Sequence, residues 1–334
     1  MEKEINITLL KLLFILITTL ACSFAAHSQT KQQLYQSSEV SYHNDEIQIA
    51  ATLYQPLHQE SFPAVVIVHG SGSSSRDNLW TSAYAESLIK RGIAVLYPDK
   101  RGSGKTTGNW VTSDFTELSE DAIAGVHYLK GISGVDTSRI GVIGFSQGGH
   151  IVPLAASIST DIKFVVSVSA SVVPMVEQMM DEVELMAEKE GLNRLEIEKV
   201  NEINQLAINA ALNDTDGQDY IDALNKAKNG ALKGKRVVEG FPTDLNQPAK
   251  TFIKTIGNYD PMPYWMEVNI PILFVYGGKD ENIRISKSIN LIEKSLSQRD
   301  SNYSLLLFNK NGHALYREDL LDFMARWIFD KGSN

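Results

Sequence analysis

The chain alternates short apolar runs with longer amphipathic stretches. Val40 to His43 and Ile47 to Tyr54 read as two strands around the turn Asn44-Asp45, the second closed by Pro56. Ala64 to Val68, Ile93 to Tyr97, Ile140 to Ile143, Phe164 to Val168, Ile270 to Tyr276 and Ser304 to Phe308 are nearly continuous in apolar character, as strands covered on both faces are. Trp80 to Arg91, Leu118 to Leu129, Gly148 to Ser157, Ile285 to Leu296 and Leu320 to Phe329 have helical periodicity instead. This repeated order predicts an α/β protein with a mostly parallel, doubly covered sheet.

From about Pro174 to Gly257 no strand pair is evident. Met175 to Glu190, Leu195 to Leu212, Tyr220 to Leu232 and Pro248 to Ile256 are amphipathic, with breaks at Gly191, Asp214 to Gly217 and Gly234. They predict a helical lid, residues 174–265, inserted between two parts of the core, 29–173 and 266–334. Residues 1–28 have the proportions of a secretory signal: Lys11, an apolar run from Leu12 to Leu20, then small residues. Export to the periplasm or outside the cell is therefore expected. Cys22, the single cysteine, follows Thr19-Leu20-Ala21 in an imperfect lipoprotein-processing pattern, so a membrane is a partner only through a lipid on Cys22 or an uncleaved signal. Cleavage beyond Cys22 leaves no disulfide and no thiol nucleophile.

The chemistry concentrates after Ile140 to Ile143, at Gly144-Phe145-Ser146-Gln147-Gly148-Gly149. Glycines on both sides let a strand turn sharply into a helix with a serine hydroxyl at the apex. A serine alcohol is a weak nucleophile and needs a base and a group that orients the base. His313 follows the last predicted strand and Asp280 the one before it, giving the order nucleophile, acid, base. Glu281 and, at greater distance, Asp260 are the competing acids. Attack on a carbonyl also needs donors for the oxyanion: the backbone N–H of Gln147 and that of Ser71, with Gly72 as the other register. His69 reads as a residue bracing its loop, and His127 and His150 as packing residues.

Forty acidic against 31 basic residues give a net charge of −9, which opposes a general nucleic-acid binder. Neither His-Glu-x-x-His nor a cysteine cluster is present, and Arg101 to Thr106 lacks phosphate-loop spacing, so no metal or cofactor is expected.

With His69-Gly70-Ser71-Gly72, Asp99 to Gly104, Gly144 to Gly149, Gly277-Gly278-Lys279-Asp280 and Gly312-His313, the chain resembles the α/β-hydrolase superfamily over roughly residues 40 to 330. Within it the chain is similar to bacterial secreted serine esterases and to dienelactone-hydrolase and prolyl-oligopeptidase relatives. The resemblance implies Ser146 as nucleophile, Asp280 as acid and His313 as base. Hydrolysis of small to medium-chain carboxylic esters through an acyl-enzyme is the leading expectation. A peptidase or amidase, a thioesterase or acyltransferase, and a binding protein on a degenerate hydrolase scaffold are the alternatives. Met175, Met179, Met180 and Met186 are candidates for an adaptable acyl pocket, or else simply join lid to core. A carboxylate among Glu177, Asp181, Glu182 and Glu184 would suit a substrate amine, unless that run is a solvated helical face.

Overall fold

The computed structural model describes residues 33–245, 247–296 and 303–331. The expected export signal and Cys22 lie outside them. No helix among the described residues is long and apolar enough to cross a membrane.

A hairpin opens the fold: β1 (Tyr35–Asn44) and β2 (Ile47–Pro56) pair antiparallel around the expected turn. Then β3 (Phe62–Val68), α1 (Leu79–Lys90), β4 (Ala94–Pro98), α2 (Phe115–Lys130), β5 (Val135–Phe145), α3 (Gly148–Ile158) and β6 (Phe164–Val168) alternate in order. Seven further elements follow in the insertion and at its return: α4 (Met175–Lys189), α5 (Arg194–Leu212), α6 (Gln218–Asn229), α7 (Arg236–Glu239), α8 (Gln247–Ile256), α9 (Met262–Glu267) and β7 (Ile272–Gly277). The chain closes with α10 (Ile285–Leu296), β8 (Tyr303–Phe308) and α11 (Glu318–Lys331).

The strands form one sheet in the order β1-β2-β4-β3-β5-β6-β7-β8. β2 runs antiparallel to β1 and β4, and all later neighbours are parallel. Both faces are covered, which is why the central strands read as unbroken apolar runs. Successive side chains point to opposite faces. Ala64, Val66 and Val68 thus join Leu118, Val126 and Ile151 from α2 and α3, while Val65 and Ile67 join Tyr84, Leu88 and Leu321 from α1 and α11.

The insertion has an apolar cluster of its own, in which Ala187, Val200, Ile203, Tyr220, Leu224 and Val238 are buried together. Met175, Met262 and Trp265, at its two ends, belong instead to the sheet's core. Two short helices, α7 and α9, were not legible as helices, since one turn has no period to detect. β7 begins two residues later than its apolar run because Pro271 has no N–H for the ladder; its carbonyl still accepts from Val165 N at 3.0 Å.

Candidate active site

Ser146 stands between β5 and α3 with φ of +51°, a conformation unusual for a side chain other than glycine. Its N–H is held by Val168 O at 3.0 Å, and its carbonyl accepts from Gly149 N at 2.8 Å. The turn is tight enough that a Cβ on Gly148 would lie 2.3 Å from Val68 O, a contact between two backbones with nothing flexible to yield. We therefore expect Gly148→Ala to lower the thermal midpoint by roughly 10 °C or to prevent folding, as a 1–3 kcal/mol overpacking penalty plus a displaced turn would. Differential scanning fluorimetry checks it, and an unchanged midpoint would contradict this geometry.

The loops after β7 and β8 bring the other two predicted residues to the serine. Lys279 N donates to Asn311 O at 2.8 Å, joining the loops, and Leu315 O receives both Trp80 Nε1–H at 2.9 Å and Tyr84 O–H at 2.7 Å. His313 Nε2 lies 3.0 Å from Ser146 Oγ. His313 Nδ1 lies 3.0 and 2.9 Å from the two oxygens of Asp280. Because a carboxylate only accepts, Nδ1 carries the proton, leaving Nε2 to accept from the serine hydroxyl. Asp280 is itself fixed, its Oδ1 accepting from the N–H groups of Asn282 at 2.8 Å and Ile283 at 3.1 Å. The competing acids are occupied elsewhere. Glu281 accepts from the His313 backbone N–H, and Asp260 from Met262 N.

Ser146 opens on a cavity of about 200 Å³, also lined by Ser71, Gln147, His150, Ser169, Met175, Gln178, Met179, Glu182 and Phe252. Ser71 and Gln147, the two expected donors, border the same cavity as Ser146, and among the described residues neither backbone N–H is committed to a backbone carbonyl outside regular structure. Of the four methionines, only Met175 and Met179 reach the cavity. Met180 Sδ accepts from Asn204 Nδ2, and Met186 is exposed. Helical spacing alone placed all four on one helix but could not tell its inner face from its outer one.

His69 braces its loop as expected: Nε2–H donates to Pro98 O at 2.7 Å and Nδ1 accepts from Ser74 Oγ at 2.9 Å. Burial pushes its pKa down to about 4. His127 sits at the surface beside Asp161. His150 stacks on Phe115 and is likewise pushed to about 4 by burial, against a hydrogen bond to the Gln147 backbone, but it does more than pack, because it also lines the cavity. Gln178 Oε1 and Ser169 Oγ are buried without partners. The cavity is therefore amphipathic rather than simply apolar.

The acidic run of α4 divides. Glu177 and Asp181 pair with Lys287 of α10, and Glu184 and Glu188 with Arg284 just before it. Glu182 faces the cavity without a hydrogen bond or ion pair among the described residues, and burial holds its carboxyl above the ordinary glutamate value, with His313 pulling it down and Asp280 adding to the rise. The run is thus a clamp plus one inward carboxylate, not a solvated face. Among the described residues no group of three or more His, Cys, Asp or Glu could hold a metal ion.

Known proteins share this framework. Esterase EstD of Thermotoga maritima is 27% identical over 285 residues, covering 83% of this chain and 61% of EstD. The quorum-quenching protein AidA of Acinetobacter baumannii is 30% identical over 121 residues, 36% of this chain and 39% of AidA. The chain therefore spans less than two thirds of either relative. Among solved structures, Est1E of Butyrivibrio proteoclasticus with bound ferulic acid superposes with a TM-score of 0.59 at 20% identity, covering 88% of this chain and all of that one. The fold is that of the α/β-hydrolases. The family model for X-Pro dipeptidyl-peptidases matches residues 45–314, and the chain belongs to that family, S15.

Proposed function

We propose that the protein hydrolyses small to medium-chain carboxylic esters through an acyl-serine intermediate. The observation that carries this reading is the unbroken hydrogen-bonded series Asp280, His313, Ser146 at the wall of a small cavity. Ser146 Oγ attacks the ester carbonyl as His313 Nε2 takes its proton, and the N–H groups of Gln147 and Ser71 hold the oxyanion. His313 then gives the proton to the leaving alkoxide and activates the water that frees the acid, while Asp280 supports the imidazolium. The cavity volume of about 200 Å³ lies below the roughly 300–1,000 Å³ of drug-sized sites, which favours short acyl chains. One of the similar proteins, EstD of Thermotoga maritima, is named as an esterase.

Intact-protein mass spectrometry after fluorophosphonate treatment tests the nucleophile, and turnover of p-nitrophenyl acetate, butyrate and octanoate tests the acyl range. One adduct and a preference for acetate or butyrate are expected. A folded protein with no adduct would sink the reading.

Amide or peptide hydrolysis is the second reading, and Glu182 is what favours it. An unpaired carboxylate in the cavity suits a substrate ammonium group. On that reading Glu182→Gln lowers the ratio of kcat/KM for an aminoacyl ester to that for its uncharged analogue by about 10-fold, the size of one charge-assisted hydrogen bond. An unchanged ratio in steady-state assays removes the support for a peptidase.

A further inference from the structure

The loop after β4 buries a lysine that the fold's core does not require. Lys100 is 7% exposed, and its Nζ donates to Gly70 O at 2.8 Å and to Gln147 Oε1 at 2.9 Å. The Trp110 ring centre lies 5.7 Å away. Among the described residues no carboxylate pairs with it. Asp99 is taken by Arg76 and by the N–H groups of Arg76 and Lys105, and Arg101 takes Asp121 and Glu117. His69, the remaining titratable neighbour, is engaged with Pro98 O and Ser74 Oγ. A buried ammonium without a counter-ion is costly, and burial alone pushes Lys100 down to about 7.

The two acceptors explain what the charge does. Gly70 C=O and Ser71 N–H belong to one planar trans peptide and point in opposite directions. A carbonyl fixed on Lys100 therefore turns the Ser71 N–H away from the lysine, and Ser71 borders the same cavity as Ser146. The Gly70 backbone lies directly against the nucleophile, since a Cβ there would come within 3.3 Å of Ser146 Cβ. An ammonium on the oxygen also polarises the peptide and strengthens the donor at its far end. The other acceptor is the side chain of Gln147, whose own backbone N–H completes the pair.

We propose that Lys100 is the positioning residue of the oxyanion site: one ammonium fixes the Gly70-Ser71 peptide and Gln147 so that both N–H groups converge on the developing oxyanion. This rests on the serine-hydrolase reading above, and it selects Ser71 over Gly72 as the second donor. Lys100 does not line the cavity on which Ser146 opens, and its hydrogen bonds go to Gly70 O and Gln147 Oε1. Its loss therefore weakens transition-state binding rather than substrate binding.

The charge adds a pH dependence. The protonated lysine is the competent form, and the neutral amine keeps two N–H donors but loses the charge that strengthens them. kcat/KM should fall with rising pH as Lys100 loses its proton, well below the alkaline range of an exposed lysine.

Lys100→Met keeps the length of the side chain and removes the charge. With p-nitrophenyl butyrate, kcat should fall at least about 10-fold, toward the cost of losing one oxyanion donor. KM should stay within about twofold, and the alkaline limb of the wild-type profile should be absent. A folded variant that keeps wild-type kcat, or whose loss lies in KM, overturns the proposal. If melting shows the variant unfolded, Gln147→Met, which removes one of the two acceptors and keeps the backbone N–H, decides instead: a fall in kcat with KM unchanged supports the role, and wild-type kcat overturns it. A wild type that takes no fluorophosphonate adduct fails earlier, at the serine reading, and removes this inference with it.

Discussion

Ser146→Ala should leave a folded protein whose kcat for p-nitrophenyl butyrate is lower by on the order of 10⁴ to 10⁶-fold. The substitution removes the hydroxyl that sits 3.0 Å from His313 Nε2 and nothing else that the turn depends on. The backbone strain at +51° is already present with serine and is the same in kind for alanine, so the thermal midpoint should move by only a few degrees. What remains after the loss is the contribution of the oxyanion donors and of binding, which lets water attack slowly without a covalent intermediate. Steady-state turnover checks the fold-change, and mass spectrometry should find no fluorophosphonate adduct. A loss smaller than about 100-fold would mean that another group attacks the carbonyl, because no partial role for the hydroxyl survives its deletion.

Asp280→Asn should be nearly as damaging, at about 10⁴-fold in kcat, for a different reason. Asp280 is nearly isosteric with asparagine, and its Oδ1 already accepts two backbone N–H groups, those of Asn282 and Ile283. The amide oxygen of the variant will keep that place, because an NH₂ group there would face two donors. Its NH₂ then points at His313 Nδ1 and forces the proton onto Nε2, the atom that must accept from Ser146. The ring stays in position with the wrong tautomer. Measured kcat should collapse while KM changes little, with the midpoint of unfolding lowered only modestly. A variant within about 10-fold of wild type would show that the acid does not set the tautomer here, and Glu281, which holds only the His313 backbone N–H, would become the next residue to change.

The sheet and the chain positions of Ser146, Asp280 and His313, which the structure brings together, were legible because each rests on a strong local signal. Apolar runs bounded by glycine mark buried strands, and the residues at their exits carry the chemistry in a fixed chain order. The lining of the cavity was not legible. Met180 and Met186 share helix α4 with Met175 and Met179, and only the packing of that helix in three dimensions decides which of them turn inward, Met180 meeting Asn204 of α5 instead of the cavity. Glu182 was one of four equivalent acids until Arg284 and Lys287 claimed its neighbours. Lys100 lay within the Asp99 to Gly104 match, but nothing in the sequence marked it as buried; its burial follows from two chain segments, at Gly70 and Gln147, that are distant in sequence.

The helical insertion leaves the sheet at β6 and returns at β7, and these two strands are parallel neighbours paired from Val165↔Ile272 to Val168↔Val275. The crossover leaves the C-terminal end of β6 and re-enters at the opposite, N-terminal end of β7, but the cover is closed at its base, where Met175 N donates to Tyr259 O at 2.9 Å. Its interior is a separate apolar cluster, while Ser146, Asp280 and His313 all ride on loops of the sheet. Evolution can therefore lengthen, shorten or replace the whole cover without renegotiating a single strand pair. Such an attachment leaves the loops that carry Ser146, Asp280 and His313 untouched when the cover, with its cavity-lining Glu182 and Met179, is exchanged.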